Sequence, residues 1–381
     1  MAIDSQFDDI RPYYDEEIPA AMKRITEDPY FPLLSQYVFP GKPLDEVRKM
    51  FDGFRTIQDF QYCVMYAANQ QIIARTTDGL TCGGIDWVDK DRSYMFVSNH
   101  RDIVLDSCMM MYLLYNNGRK VGEITFGANL MQGQLVIDLG RSNRMFRVER
   151  GGNMRDFYRS SKHLSEYMRH TIKDKDLPVW IAQRNGRTKD GIDRTDQGII
   201  KMFGMSGGKD RVEALAELNI LPVAVSYEWE PCDVLKAVEL YKSQDGTPYV
   251  KQPGEDLNSI LTGITQNKGR VHMEFCRPVT REDLEAFNDV PDAQFHRCVA
   301  NLIDQRITEG YHKFENAYIA ADLINGDSGY SNLYSDEQKA KFLKNMERLQ
   351  EVTDCNQEEL RRIFLGIYGN PVCRPLEKME F

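Results

Sequence analysis

Apolar residues recur along this chain in two patterns, and each pattern predicts a different kind of element. Short aromatic or β-branched runs bounded by polar residues predict buried strands, and apolar residues at helical spacing predict amphipathic helices. The two patterns alternate between residues 85 and 230. The predicted strands are Tyr94–Ser98, Glu123–Phe126, Met145–Val148, Val179–Ala182 and Leu221–Ser226, and the predicted helices are Ile103–Tyr115, Met131–Leu139, Met154–Ile172, Gly198–Phe203 and Arg211–Leu218. This order predicts an α/β fold with a largely parallel sheet flanked by helices.

The patterns outside this alternating region predict helical extensions at both ends of the chain. A further strand is predicted over Gly269–Cys276, and helical patterns follow it. We therefore expect a helical N-terminal region over residues 1–78, an α/β domain over residues 79–325 and a helical C-terminal tail over residues 326–381.

Composition and charge exclude several classes of protein. Hydrophobic residues make up 42% and charged residues 28% of the chain, which is typical of a globular protein. A net charge of −10 argues against a nucleic-acid-binding protein. The eight cysteines lack the spacing of a zinc site, and we expect no bound metal. There is no apolar run of the ~18 residues that a membrane span needs and no signal-peptide pattern, so we expect a cytoplasmic protein that is soluble or lies on a membrane surface.

The most informative stretch is the polar turn between the first predicted strand and the first predicted helix. It contains His100 and Asp102, and Asp106 follows in the helix. A histidine with a pKa near ~6.5 can take a proton from a hydroxyl at neutral pH, and an aspartate nearby can orient it. The same residues are also consistent with a core histidine next to a helix-capping aspartate. Both interpretations remain open from this stretch alone.

Three later clusters place polar or basic residues after buried strands. The carboxyl ends of parallel strands meet at one edge of a sheet, so these clusters are expected to line one crevice. Arginine offers a planar fork for phosphate oxygens, and glycine lets a ligand approach the backbone. The residues concerned are Arg150 after the strand at 145–148, and Arg184, Asn185, Gly186, Arg187 and Thr188 after the strand at 179–182. The third cluster consists of the polar residues at the end of the strand in the segment Pro222–Glu228.

Together, the four clusters resemble the ordered sequence blocks of the glycerol-phosphate and lysophosphatidate acyltransferases. Asn99-His100 followed by Asp106 resembles the catalytic block, and Arg150 matches the arginine that ends the second block. The segments Asn185–Thr188 and Pro222–Glu228 resemble the third and fourth blocks. The resemblance covers about residues 80 to 325.

This resemblance implies transfer of a fatty acyl group from acyl-CoA or acyl carrier protein to a hydroxyl of a glycerol-phosphate-like or lysophospholipid acceptor. His100 would act as the general base with Asp106 as its partner. Arg150, Arg184, Asn185, Gly186, Arg187 and Thr188 would bind the acceptor. It implies no cofactor beyond the acyl donor thioester, and it implies peripheral contact with a membrane because the acceptor is a lipid precursor.

The sequence departs from the family pattern at two positions. Five residues separate His100 from Asp106 where the family usually has four, and one residue turns a helical position by ~100°, so Asp102 is an alternative partner. Asn185 stands where the family has glutamate. The asparagine side chain still offers a carbonyl oxygen as an acceptor but lacks the negative charge of glutamate. The asparagine motivates an alternative acceptor without phosphate, such as an aminoacyl lipid.

Two interpretations from other classes also remain. Gly204-Met-Ser206-Gly-Gly208 matches the pattern of a nucleophile elbow, which suggests a Ser206 hydrolase or thioesterase. However, the residues before Ser206 have helical spacing, whereas an elbow follows a buried strand. The other interpretation is a lipid-binding pseudoenzyme.

Overall fold

The computed structural model describes residues 5–149, 153–244 and 249–374. Within these ranges, five α-helices precede the sheet and pack on one another around an aromatic core. The Phe51 ring meets Phe31 and Phe60 edge-on, with ring centroids 5.2 and 6.3 Å away. These helices are α1 (Ile18–Glu27), α2 (Phe31–Val38), α3 (Leu44–Asp52), α4 (Ile57–Phe60) and α5 (Tyr66–Thr76).

A seven-stranded sheet lies at the centre of the described part of the chain. Its strands are β1 (Gly79–Gly83), β2 (Met95–Ser98), β3 (Glu123–Gly127), β4 (Met145–Val148), β5 (Val179–Ala182), β6 (Ile220–Tyr227) and β7 (Arg270–Phe275). Their spatial order is β1-β7-β6-β2-β5-β3-β4. Neighbouring strands are parallel except for β6 and β7, so β2 to β6 all end at one edge. The predicted largely parallel sheet is confirmed.

The sequence pattern failed to predict strand β1 and also helix α11, Asp233–Lys242. Residues 79–84 resemble a turn because three of them are glycine, and no apolar alternation marks a strand. The segment nevertheless pairs in parallel with β7, from Gly79 opposite Arg270 to Gly83 opposite Glu274. Gly84, directly after β1, has a φ of +64°, and a side chain there would clash with the backbone carbonyl of Phe275 at the end of β7, so glycine is suited to this position.

Helices cover both faces of the sheet. Met95 and Val97 of β2 face one core, while Tyr94 and Phe96 face the other, as the alternation of side chains along a strand requires. The helices that connect the strands are α6 (Leu105–Asn116), α7 (Gln134–Ser142), α8 (Met154–Lys173), α9 (Gln197–Gly204), α10 (Arg211–Ala216), α11 (Asp233–Lys242) and α12 (Glu255–Thr265), and α13 (Arg281–Glu285) follows β7.

Four further helices follow α13 and pack against the sheet and against the residues that follow β6. They are α14 (Asp292–Gly310), α15 (Glu315–Asn325), α16 (Asp336–Met346) and α17 (Gln357–Cys373). Trp229, which follows β6, stacks on Phe342 at a centroid distance of 6.1 Å and meets Tyr368 edge-on. The C-terminal helices therefore lie beside the edge at which β2 to β6 end.

The three-region division at residues 78 and 325 stays a prediction. Among the helices of the described ranges, none has the length and apolarity to cross a membrane.

Candidate active site

The turn after β2 brings His100 and Asp106 into contact. His100 Nδ1 lies 2.9 Å from Asp106 Oδ2, and both side chains are buried. Residues 102–104 form a bend, and α6 begins only at Leu105. The additional residue between His100 and Asp106 is thus accommodated before the helix begins, so it does not rotate Asp106 away from the histidine.

Asp106 accepts hydrogen bonds from several donors besides His100. The backbone N–H groups of Arg101 and Asp102 donate to Oδ2 at 2.6 and 2.9 Å, and the Tyr227 hydroxyl donates to Oδ1 at 2.7 Å. Burial opposes ionisation, but the His100 hydrogen bond and charge, the Asp102 N–H and the Tyr227 hydroxyl together lower the pKa of Asp106. Burial, followed by the Asp106 charge, raises the pKa of Tyr227 well above its usual value, so Tyr227 remains a donor. An ionised Asp106 holds a proton on His100 Nδ1 and leaves Nε2 to accept one.

Asp102 has a different role from the one considered as an alternative. Its Oδ1 accepts from the N–H groups of Val104 and Leu105, each at 2.9 Å, and so satisfies donors at the start of α6. Its Oδ2 is buried against Gly263 of α12 and has no hydrogen-bond partner within the described residues. The structure places Asp106, rather than Asp102, against His100.

Asn99 and Trp180 fix the turn to the neighbouring strands. Asn99 accepts a hydrogen bond from Val225 N at 2.7 Å and donates to Val225 O at 2.9 Å, as a backbone strand partner would. Trp180 of β5 donates to Ser98 Oγ at 3.0 Å, and its ring lies edge-on to the His100 ring at 5.6 Å. Hydrogen bonds therefore join the turn to β6 on one side and to β5 on the other, and they position the His100 imidazole at the end of β2.

The loop after β5 reaches the same turn. Thr188 N donates to His100 O at 2.7 Å. Arg187 is buried beside Cys232, and its Nη1 has no hydrogen-bond partner in the described ranges; the same holds for Thr188 Oγ1. Arg184 and Gly186 are partly buried, whereas Asn185 is exposed. The structure therefore brings Arg187 and Thr188 to the histidine turn and leaves Asn185 at the surface. Arg150 lies outside the described residues.

A buried ionic network beneath the turn was not predicted from the sequence. The Arg101 guanidinium contacts Asp193 at 2.6 Å and Glu230 at 3.4 Å. The Lys236 ammonium donates to Arg101 O and to Glu230, both at 2.6 Å. Two cations thus face two carboxylates in the interior, and removing any one would leave an uncompensated buried charge. In the sequence these residues resemble ordinary surface charges, and only the tertiary fold brings them together.

Helix α17 also contacts the site, although the family resemblance did not extend to it. The Tyr368 hydroxyl donates to Asp233 Oδ2 at 2.8 Å and accepts from Glu230 N at 3.1 Å. Asn370 donates to Asp190 O at 2.7 Å. A side chain at Gly191 would clash with the α17 backbone, so the loop and the helix are in close contact. The C-terminal helix therefore supports both the ionic network and the loop that carries Arg187.

Ser206 does not have the geometry of an elbow nucleophile. It follows helix α9 rather than a strand, as the helical spacing predicted. Its hydroxyl is 2.9 Å from Ser165 Oγ and accepts from Arg169 Nε at 3.0 Å, with no histidine among these contacts. Within the described ranges, no cluster of three or more histidine, cysteine or acidic residues is placed to hold a metal ion.

A family model of known proteins matches the part of the chain that contains these residues. Residues 79–226 match the family model of acyltransferases, a segment that begins at β1 and ends within β6. It includes the His100–Asp106 pair and the Arg187 loop, and the match confirms the resemblance to acyltransferases over these residues.

One solved structure is similar over a larger part of the chain. It is the 1-acyl-sn-glycerophosphate (LPA) acyltransferase PlsC from Thermotoga maritima, which is 12% identical, covers 77% of this chain and 94% of its own, and superposes with a TM-score of 0.40. No curated protein matches the sequence significantly.

Proposed function

We propose that this protein transfers a fatty acyl group from the thioester of acyl-CoA or acyl carrier protein to a hydroxyl of a glycerol-phosphate-like or lysophospholipid acceptor. The observation that carries the proposal is the buried His100–Asp106 pair at the end of β2, inside the segment that matches the acyltransferase family. The catalytic roles and the acceptor assignment are both part of the proposal.

The chemistry follows from the orientation of the imidazole. His100 Nε2 takes the proton of the acceptor hydroxyl as that oxygen attacks the thioester carbonyl carbon. The new C–O bond forms, the C–S bond breaks, and the histidine returns its proton to the departing sulfur, giving a free thiol. Asp106 stabilises the transient imidazolium, because it is a fully buried carboxylate in direct contact with Nδ1. No acyl-enzyme is needed, which agrees with the surroundings of Ser206.

The acceptor's anionic group is assigned to the loop after β5. Arg187 supports this because its Nη1 is buried next to the histidine turn without a protein partner among the described residues. A buried guanidinium donor without a partner is costly, and a phosphate oxygen would satisfy it. Thr188 Oγ1 is also buried without a hydrogen-bond partner among the described residues, and it offers the phosphate a second hydrogen bond. Arg184 and Arg150 remain proposed as further cations for the acceptor.

A non-phosphate acceptor such as an aminoacyl lipid stays as the second candidate, because Asn185 replaces the family glutamate. Asn185 is exposed, and an exposed charge contributes little interaction energy, so the replacement of glutamate by asparagine is weak support for this second candidate.

Thiol release from acyl-CoA and from acyl carrier protein, measured with and without acceptors, tests the proposal. We expect release that depends on glycerol 3-phosphate or a lysophospholipid. Release without any acceptor would indicate a hydrolase, and release only with a non-phosphate acceptor would support the second candidate. Lipid binding without release from either donor would indicate a pseudoenzyme.

A further inference from the structure

The first two turns of α8 expose large apolar side chains. Met154, Phe157 and Tyr158 are 89%, 53% and 62% exposed. Their spacing of three and four residues places them on one side of the helix. From Leu164 onward the same helix buries residues against the sheet. Single exposed apolar residues are common on proteins, but three on one side of one helix form a surface that water solvates poorly.

Basic side chains flank this apolar side. Arg155, Arg159 and Lys162 follow one another at spacings of four and three residues. Residues 154–162 contain a single acid, Asp156, which accepts a hydrogen bond from Asn153. Lys162 pairs with Glu166 at 3.7 Å, whereas Arg155 and Arg159 have no ion-pair partner among the described residues, so these two arginines make the segment locally positive in a chain with a net charge of −10. Apolar side chains beside arginine and lysine are typical of helices that bind at the interface of an anionic bilayer.

Helix α12 presents a second apolar surface close to the candidate site. Its inner side packs on the histidine turn, where Gly263 contacts Asp102. On its outer side, Leu257 and Leu261 are each more than half exposed. The helix thus borders the site with an apolar outer face.

The two surfaces lie at the same edge of the sheet. Helix α8 follows β4, and β4 ends at the same edge as β3 and β2, where His100 lies. Asn129, in the loop after β3, donates to Asp256 in the first turn of α12 at 3.2 Å. The start of α8 and the outer side of α12 therefore flank the edge that carries the histidine.

We propose that residues 154–162 of α8 and Leu257 and Leu261 of α12 form a membrane-docking face that binds an anionic bilayer. The face would lay the candidate site against the lipid surface from which a fatty substrate comes. The inference deepens the proposed function, since a lipid acceptor gives the docking its purpose. An acidic acyl carrier protein would also be attracted by the cations, but the apolar residues on two separate helices favour insertion into lipid.

Vesicle co-sedimentation of the full chain tests the membrane-docking face. Vesicles of phosphatidylcholine with one quarter phosphatidylglycerol should bind the wild type. The triple variant Met154→Ala/Phe157→Ala/Tyr158→Ala should bind at least about tenfold more weakly, and Leu257→Ala/Leu261→Ala should also bind more weakly. The matched control is Trp87→Ala: Trp87 is 51% exposed and follows β1, which ends at the opposite edge of the sheet, so its loss should leave binding unchanged.

Charge variants separate the electrostatic contribution. Arg155→Gln and Arg159→Gln should each weaken binding to the anionic vesicles by about fivefold and change little with phosphatidylcholine alone. His100→Ala should bind vesicles like the wild type, so docking can be confirmed even if no acyl transfer is found. The proposal is wrong if wild type fails to bind anionic vesicles, if Trp87→Ala weakens binding as much as the α8 variant, or if the surface instead binds an acidic acyl carrier protein.

Discussion

At the scale of single residues, the site depends on one carboxylate that accepts hydrogen bonds from four donors. Asp106 contacts His100, two backbone N–H groups and Tyr227, while Asp102 caps the helix that carries Asp106. The two aspartates are four residues apart, and the sequence alone left both as partners of His100. The distinction comes from the bend at residues 102–104, whose shape no local pattern predicts.

Asp106→Asn and Asp102→Asn form a matched pair that tests this assignment. Asparagine at position 106 cannot stabilise the imidazolium, so we expect kcat to fall by at least about a hundredfold. Asparagine at position 102 remains a good helix cap, so kcat should stay within a few-fold and stability within about 1 kcal/mol of wild type. Acceptor-dependent thiol release and urea denaturation measure the two effects. Equal losses of kcat in both variants would contradict the assignment.

Arg187 is the residue whose environment most directly indicates an anionic ligand. Arg187→Ala should raise KM for a phosphate-bearing acceptor by about ten- to a hundredfold, corresponding to a lost charge-assisted hydrogen bond of about 1.5–3 kcal/mol. The KM for the acyl donor should change little. Steady-state kinetics with each substrate varied in turn measures both constants. An unchanged acceptor KM in a folded variant would show that Arg187 does not bind the acceptor.

At the scale of elements, the close approach of α12 to the histidine turn depends on a glycine. A side chain at Gly263 would clash with the buried Asp102 carboxylate, and this carboxylate cannot move without giving up its cap of α6. We expect Gly263→Ala to destabilise the protein by about 1–3 kcal/mol and to lower kcat. Gly204→Ala in α9 is the control, because a side chain there meets no atom within 4 Å and should stabilise by up to about 1 kcal/mol. Thermal unfolding of both variants tests this. A neutral Gly263→Ala would show that α12 is free to move away.

Most elements between residues 94 and 275 could be predicted because each has a clear apolar period. Strands β4 and β5 have the predicted bounds, and the other predicted strands differ by one residue at one or both ends. Strand β1 could not be predicted, because its stability comes from pairing with the distant β7 rather than from its own side chains.

At the scale of the whole molecule, buried polar contacts join the helical ends to the sheet. Arg24 of α1 contacts the buried Asp138 of α7 at 2.7 Å. The Lys268 ammonium, between α12 and β7, donates to Thr76 Oγ1 of α5 at 2.9 Å and to Gln266 O at 2.7 Å. At the other end, Tyr368 of α17 reaches the network beneath His100. Several of these contacts join residues more than a hundred positions apart, so sequence patterns predicted the blocks of the site but not the network and the C-terminal helix that support it.

Lys268 should make the free energy of unfolding depend on pH. Burial lowers the pKa of Lys268 to about 8, from 10.5 in the unfolded chain. Between these two values the unfolded chain keeps a proton that the folded protein has lost, so stability should rise with pH. Relative to Lys268→Met, the free energy of unfolding of wild type should therefore increase from pH 8 to pH 10.5, by up to about 3 kcal/mol. Urea denaturation of both proteins across this range measures the difference. A difference that is constant or that falls with pH would contradict the burial of an ionisable amine.

The role proposed for His100 is removal of the proton from the acceptor hydroxyl. The test is acceptor-dependent thiol release from acyl-CoA or acyl carrier protein with His100→Ala, with Ser206→Ala as the matched control and circular dichroism to establish folding. We predict that His100→Ala lowers turnover by at least about a hundredfold while Ser206→Ala stays close to wild type. Wild-type turnover in folded His100→Ala, or its loss in folded Ser206→Ala, would contradict the proposed mechanism.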